Sequence, residues 1–210
     1  MNNNLTELIV ILDASGSMAR RKQDVIGGFD QLIEDQRKQP GDCVVTVVQF
    51  SSVGKQRTIV DRVPVHDVKS LTDYRTEGWT ALHDAMGSVI DSVGSRLVDI
   101  PEWVRPGKVI VVVITDGEEN SSREYNAGQV RSMVTHQQDV YSWQFLFIGA
   151  SQNAVLESVR LGVNLGMSAR YQPTSQGYRR AFRGLSGATS ALRQDNSAAA
   201  VSCMSDIDEG

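Results

Sequence analysis

The stretch Lys108 to Thr115, KVIVVVIT, constrains this chain more than any other. Past its lysine every residue is branched at Cβ, which favours a pleated backbone over a helix. The aliphatic run shows no polar alternation, so both faces of the strand must be covered. A strand covered on both faces belongs inside a parallel sheet flanked by helices.

The rest of the chain supplies partners for such a strand. Glu7 to Leu12 and Val44 to Phe50 read as two more buried strands. Between them, Arg21 to Gln39 carries Val25, Ile26, Phe29, Leu32 and Ile33 at helical spacing and ends at Pro40-Gly41. Arg57 to Val63 alternates, is more polar and follows a short glycine-containing loop, which predicts an antiparallel edge strand. Thr80 to Leu97 has an apolar helical stripe, and a weaker helix is expected over Arg123 to Gln138. A strand at Tyr141 to Ile148, a helix at Ser151 to Leu161, a short strand near Met167 to Tyr171 and a helix at Gln176 to Leu192 complete the order. Alternating strands and helices predict an α/β fold: a doubly wound, mostly parallel sheet with one antiparallel edge strand and helices on both faces. Ligands of such sheets bind at the carboxyl ends of the strands.

No linker divides the 210 residues, so a single domain is expected over residues 1–193, followed by an acidic tail over 194–210. The formal net charge of -4 belongs to that tail, which holds Asp195, Asp206, Asp208 and Glu209 and no Lys or Arg. The tail is poor in bulky apolar residues and is expected to be partly mobile. A neutral body gives no electrostatic case for nucleic acid or for an anionic membrane. The longest aliphatic run falls far short of the ~20 residues of a membrane helix. MNNNLTE has neither a basic n-region nor an apolar h-region, so no signal peptide is expected and the cytoplasm is the expected location. Cys43 and Cys203 are then expected as free thiols.

Three strand or loop ends carry matching chemistry. DASGS ends the first strand with Asp13, Ser15 and Ser17; TEGWTALHD places Thr80 just before a helix; ITDGEEN ends the KVIVVVIT strand with Asp116. All five side chains are oxygen donors, a set suited to Mg²⁺, with Mn²⁺ or Ca²⁺ as alternatives, and unsuited to zinc. Ala14 and Gly16 separate the first three donors, so a turned loop can aim them to one side, and Gly16 adds backbone freedom. Two carboxylates leave a divalent ion electrophilic and with a free position, which calls for an anionic ligand from outside.

Together these motifs resemble the metal-ion-dependent adhesion site of von Willebrand factor A-type domains, whose pattern is Asp-x-Ser-x-Ser, then a separated Thr, then a separated Asp. The likeness spans roughly Leu5 to Leu192 and is closest to stand-alone bacterial or phage members. It implies that Ser15 and Ser17 bind the metal directly, Thr80 directly or through water, and Asp13 and Asp116 mostly through water. It further implies a protein or peptide partner whose Glu or Asp completes the coordination. Some intracellular relatives work with AAA+ ATPases or in large assemblies. Trp79 stands where the family commonly has a small residue; packing beneath the loop is expected, with an aromatic rim as the alternative. Glu118 and Glu119 add negative charge, which would tighten cation binding or select basic surroundings on the ligand.

Each fragment also has a plainer explanation. DASGS alone is a turn, and Thr80 is a natural helix cap. His83 is expected on a helix surface, and Arg179, Arg180 and Arg183 on a solvated helix face. Enzyme motifs mostly fail: no P-loop, dinucleotide fingerprint or nucleophile elbow is present. The nearest rival is a Mg²⁺-dependent phosphoester hydrolase that starts on an Asp after its first strand. It needs a second Asp two residues on, where this chain has Ser15. A structural module with an empty site is the remaining alternative.

Overall fold

The computed structural model describes residues 1–208. Its centre is a six-stranded sheet in the order β3-β2-β1-β4-β5-β6. β1 (Asn2–Asp13) lies between β2 (Asp42–Phe50) and β4 (Pro106–Thr115), parallel to both. β3 (Gln56–Pro64) runs antiparallel to β2 at one edge, as its alternating sequence predicts. β5 (Gln144–Gly149) and the short β6 (Ser168–Arg170) extend the parallel part. Residues Leu8 to Leu12 and Val111 to Ile114 are wholly shielded from solvent. That placement follows from their unbroken aliphatic sequence.

Helices cover both faces. β1 residue Glu7 sends its side chain to Arg96 on α2 (Leu82–Asp99), whereas Lys108 on β4 reaches the Arg193 carbonyl on α5 (Ser175–Arg193). Lys108 is in register with Thr6, the neighbour of Glu7, and successive side chains on a strand point to opposite faces. α2 and α5 therefore lie on opposite sides of the sheet. α1 (Lys22–Arg37) packs along α5, and α3 (Ala127–Tyr141) packs against α2. α1 and α5 meet closely because Gly28 has no side chain: a Cβ there would stand 2.1 Å from the Phe182 ring. α4 (Ala154–Arg160) lies beside β5 and β6.

The helix expected over Arg21 to Gln39 is α1, and a 3-10 turn, Gly16–Arg21, precedes it and swings the chain from the end of β1 into α1. One expectation changes. The tail expected to be mobile instead forms α6 (Ser197–Asp208), which packs on α5 and β6 with Ala200, Met204 and Ile207 buried. Those residues share one helical face, and Gly184 and Gly187 on α5 give them room: a Cβ at either would press on Cys203 or Ile207. Glu209 and Gly210 of the expected tail lie outside the described residues.

Candidate metal centre

The carboxyl ends of β1 and β4 are neighbours, so Asp13 and Asp116 emerge side by side. Asp13 is fully buried. One carboxylate oxygen accepts the Ser15 N–H at 2.7 Å and the other accepts the Thr115 hydroxyl at 2.6 Å. These bonds fold the DASGS backbone back on itself and tie β1 to β4. The buried Tyr74 hydroxyl donates to the Asp13 carbonyl, fixing the strand end from beneath.

The hydroxyls stand in front of this support. Ser15 Oγ lies 3.0 Å from Ser17 Oγ, and Ser17 Oγ donates to Asp116 Oδ1 at 2.6 Å. Three of the expected donors thus converge in one chain of oxygens. Thr80 approaches from the opposite loop: a Cβ on Gly117, the residue after Asp116, would stand 3.0 Å from Thr80 Oγ1. Its hydroxyl makes no hydrogen bond to any described residue. The cap explanation for Thr80 is overturned: Ala81 stands at the N-cap position of α2, and no side chain caps the helix from there.

The work of capping α2 passes to the loop after β4. Glu119 accepts the His83 N–H at 2.9 Å, and Ser122 Oγ accepts the Asp84 N–H at 3.1 Å. Asp84 in turn accepts the N–H groups of Arg123, Glu124 and Tyr125 at 2.8–2.9 Å. Each loop therefore satisfies the orphan backbone groups of the other. Glu119 is spent on this clamp, taking the Ser121 and Ser122 N–H groups as well. Glu118 accepts from Asn153 at 3.2 Å. Backbone bonds add further stitches: Gly16 N to the Gly78 carbonyl at 3.0 Å, Glu77 N to Ala14, Ala81 N to Ser51, and Asn120 N to Thr80.

Charge at the site is one-sided. Burial pushes the Asp13 carboxyl up to about 6, against the pull of its hydrogen bonds from Thr115 and Ser15, and burial raises Asp116 too. The proximity of Asp116 raises Asp13 further, and no Lys, Arg or His among the described residues offsets either group. Two desolvated carboxylates and clustered hydroxyls fit a hard cation, which supplies the missing positive charge. No group of three or more His, Cys, Asp or Glu side chains suited to a metal occurs among the described residues, so this donor set depends on hydroxyls.

Other expectations are corrected here. Trp79 is 69% exposed and stands beside Thr80 as a rim, because its N–H is held by Ser52 Oγ and Gly78 takes a positive φ of 71°. It does not pack beneath the loop. His83 is buried, with Nε2 2.9 Å from Glu157 on α4. Tyr74 and Asp84 emerge as supports that no motif announces.

The sequence model of the von Willebrand factor type A domain matches residues 7–161. No curated protein matches the chain significantly. Among solved structures, proximal thread matrix protein 1 from the mussel byssus is similar at a TM-score of 0.63 and 15% identity, over 87% of this chain and 47% of that one. A second structure of that protein, described as having a zinc occupied MIDAS motif, is similar at a TM-score of 0.60 and 15% identity, over 95% and 48%. This chain spans about half the length of those mussel chains. Likeness at that identity shows the fold.

Proposed function

The chain belongs to the von Willebrand factor type A domain family, metal-binding protein-interaction modules, and from that premise we propose that it binds its partner through a divalent cation. Ser15, Ser17 and Thr80 would hold the ion, and Asp13 and Asp116 would face it through water. The ion supplies positive charge and an open position for an outside carboxylate, so the partner is a protein or peptide with an exposed Glu or Asp. The observation that carries this reading is the buried Asp13 carboxylate beside a half-buried Asp116, both raised by desolvation, with a chain of hydroxyls in front.

Mg²⁺ is the proposed ion, because an all-oxygen set favours hard cations, with Mn²⁺ or Ca²⁺ as substitutes. The zinc recorded for the mussel protein makes Zn²⁺ a necessary competitor in any titration. A cytoplasmic, stand-alone module of bacterial or phage type, docking on an AAA+ ATPase or a larger assembly, is the proposed setting. A hydrolytic role is disfavoured because Ser15 occupies the position where the rival enzymes place their acid, and family members are typically adhesion modules.

Isothermal titration with MgCl₂ and MnCl₂ tests the reading. Wild-type protein is expected to bind one ion, and Ser15→Ala and Asp116→Ala to lose that heat while keeping the far-UV spectrum. A wild type that takes up no cation at millimolar concentration refutes it. Metal-dependent phosphatase turnover that disappears in Asp13→Ala favours the hydrolase instead.

A further inference from the structure

Arg179 and Arg183 are exposed and Arg180 is half-buried, as expected for a solvated helix face, and the three line one side of a groove of about 740 Å³ between α5 and α1, with Gln23 and Gln31 opposite. None of the three guanidinium groups makes an ion pair or hydrogen bond with a described residue. The groove's own acids are already engaged. Asp24 accepts from Arg21 and from Ser175 at 3.0 Å, and Asp35 accepts from Gln31 at 2.9 Å and Ser186 at 2.8 Å and pairs with Lys38. The floor is open at Gly27, where a Cβ would meet nothing within 4 Å.

The groove starts close in sequence to the candidate metal centre: Gln23, the first residue that lines it, is six residues beyond Ser17. Arg21, which ends the 3-10 turn between them, bonds to Ser175 at the start of α5 and ties the two elements together there.

We propose that this groove receives an acidic polypeptide segment of the partner, whose successive carboxylates pair with Arg179, Arg180 and Arg183. The proposal rests on the metal-mediated reading for the anchoring carboxylate at the head of the groove. Arginine suits the role because its planar fork takes a carboxylate with two parallel bonds. A polypeptide is the proposed occupant because the anchoring group is a carboxylate, and a body with no net positive charge gives no electrostatic case for a nucleic-acid strand.

Fluorescence anisotropy with a labelled oligoglutamate peptide, compared with a Gly/Ser peptide carrying a lone glutamate, tests this in Mg²⁺ and in EDTA. In Mg²⁺ the oligoglutamate is expected to bind the wild type roughly tenfold or more tighter than the lone-glutamate peptide. Arg179→Gln/Arg180→Gln/Arg183→Gln is expected to remove that advantage and leave lone-glutamate binding and Mg²⁺ uptake unchanged. Gly27→Glu, which puts a carboxylate on the open floor without crowding, is expected to do the same. Equal affinity of the wild type for both peptides overturns the groove while leaving the metal reading intact. So does a preference that survives the arginine substitutions, or tighter binding of a single-stranded oligonucleotide or an anionic vesicle. Arginine-dependent binding that ignores EDTA and Ser15→Ala supports the groove and defeats the metal reading.

Discussion

Asp13 shows how much a single side chain is asked to do. Its carboxylate organises the DASGS turn, joins two strands and lends charge to the site, all without contact with solvent. The cost appears in its protonation. A carboxyl raised from 3.8 to about 6 holds its proton more tightly in the folded chain than in the unfolded one. The folded state therefore binds more protons across that interval, and stability falls as pH rises through it. Burial raises Asp116 and Glu7 in the same direction. The lowered groups, Glu157 and Asp73, oppose this only under more acidic conditions. Urea unfolding of the metal-free protein is expected to give a higher midpoint at pH 5 than at pH 7, with Asp13 contributing roughly 1 kcal/mol of the difference. In saturating Mg²⁺ the trend is expected to shrink or reverse, because the ion favours the ionised carboxylates. A metal-free midpoint that falls on acidification to pH 5 contradicts the assignment.

Among the elements, the α1–α5 seam gives a matched comparison between adjacent glycines. Gly28 faces the Phe182 ring at a distance no Cβ tolerates, whereas Gly27 faces open space. Gly27→Ala is expected to stabilise the protein by roughly 0.5–1 kcal/mol through helix propensity. Gly28→Ala is expected to cost about 1–3 kcal/mol through overpacking. Denaturant midpoints measured side by side check the sign of each, and two changes of the same sign would contradict this packing. The same scale shows where sequence reasoning succeeds. The strands and the antiparallel edge were legible because burial pattern is a local property, and Asp13, Ser15, Ser17 and Asp116 could be grouped because a doubly wound sheet gathers the carboxyl ends of its strands and the motifs resemble a known family pattern. The cross-capping of α2 by Glu119 and Ser122 was not, because it joins segments more than thirty residues apart. Tyr74 is a lone aromatic in a loop with no periodicity to mark it. α6 escaped notice because its buried stripe is sparse and opens with an alanine.

For the molecule as a whole, a cation bound only by the folded chain must raise its melting temperature by mass action. At a hundredfold excess over its dissociation constant the ion adds about 2.7 kcal/mol, which for a chain of this size corresponds to a rise of roughly 5–10 °C. Thermal scans in Mg²⁺ and in EDTA measure this directly, and Ser15→Ala is expected to melt at the same temperature in both. A wild type indifferent to the ion would mean that the donors never close on it.

The backbone stitches among the three loops have one more consequence. Gly16 to Gly78, Glu77 to Ala14, Ala81 to Ser51 and Asn120 to Thr80 are all made by the polypeptide alone. A clasp closed by backbone groups has no stitch that an arriving cation must break. Its response time is then set by how fast the cation sheds water, a slow step for Mg²⁺ and a faster one for Ca²⁺ or Mn²⁺. Two ions held by the same oxygens would give the module two different clocks.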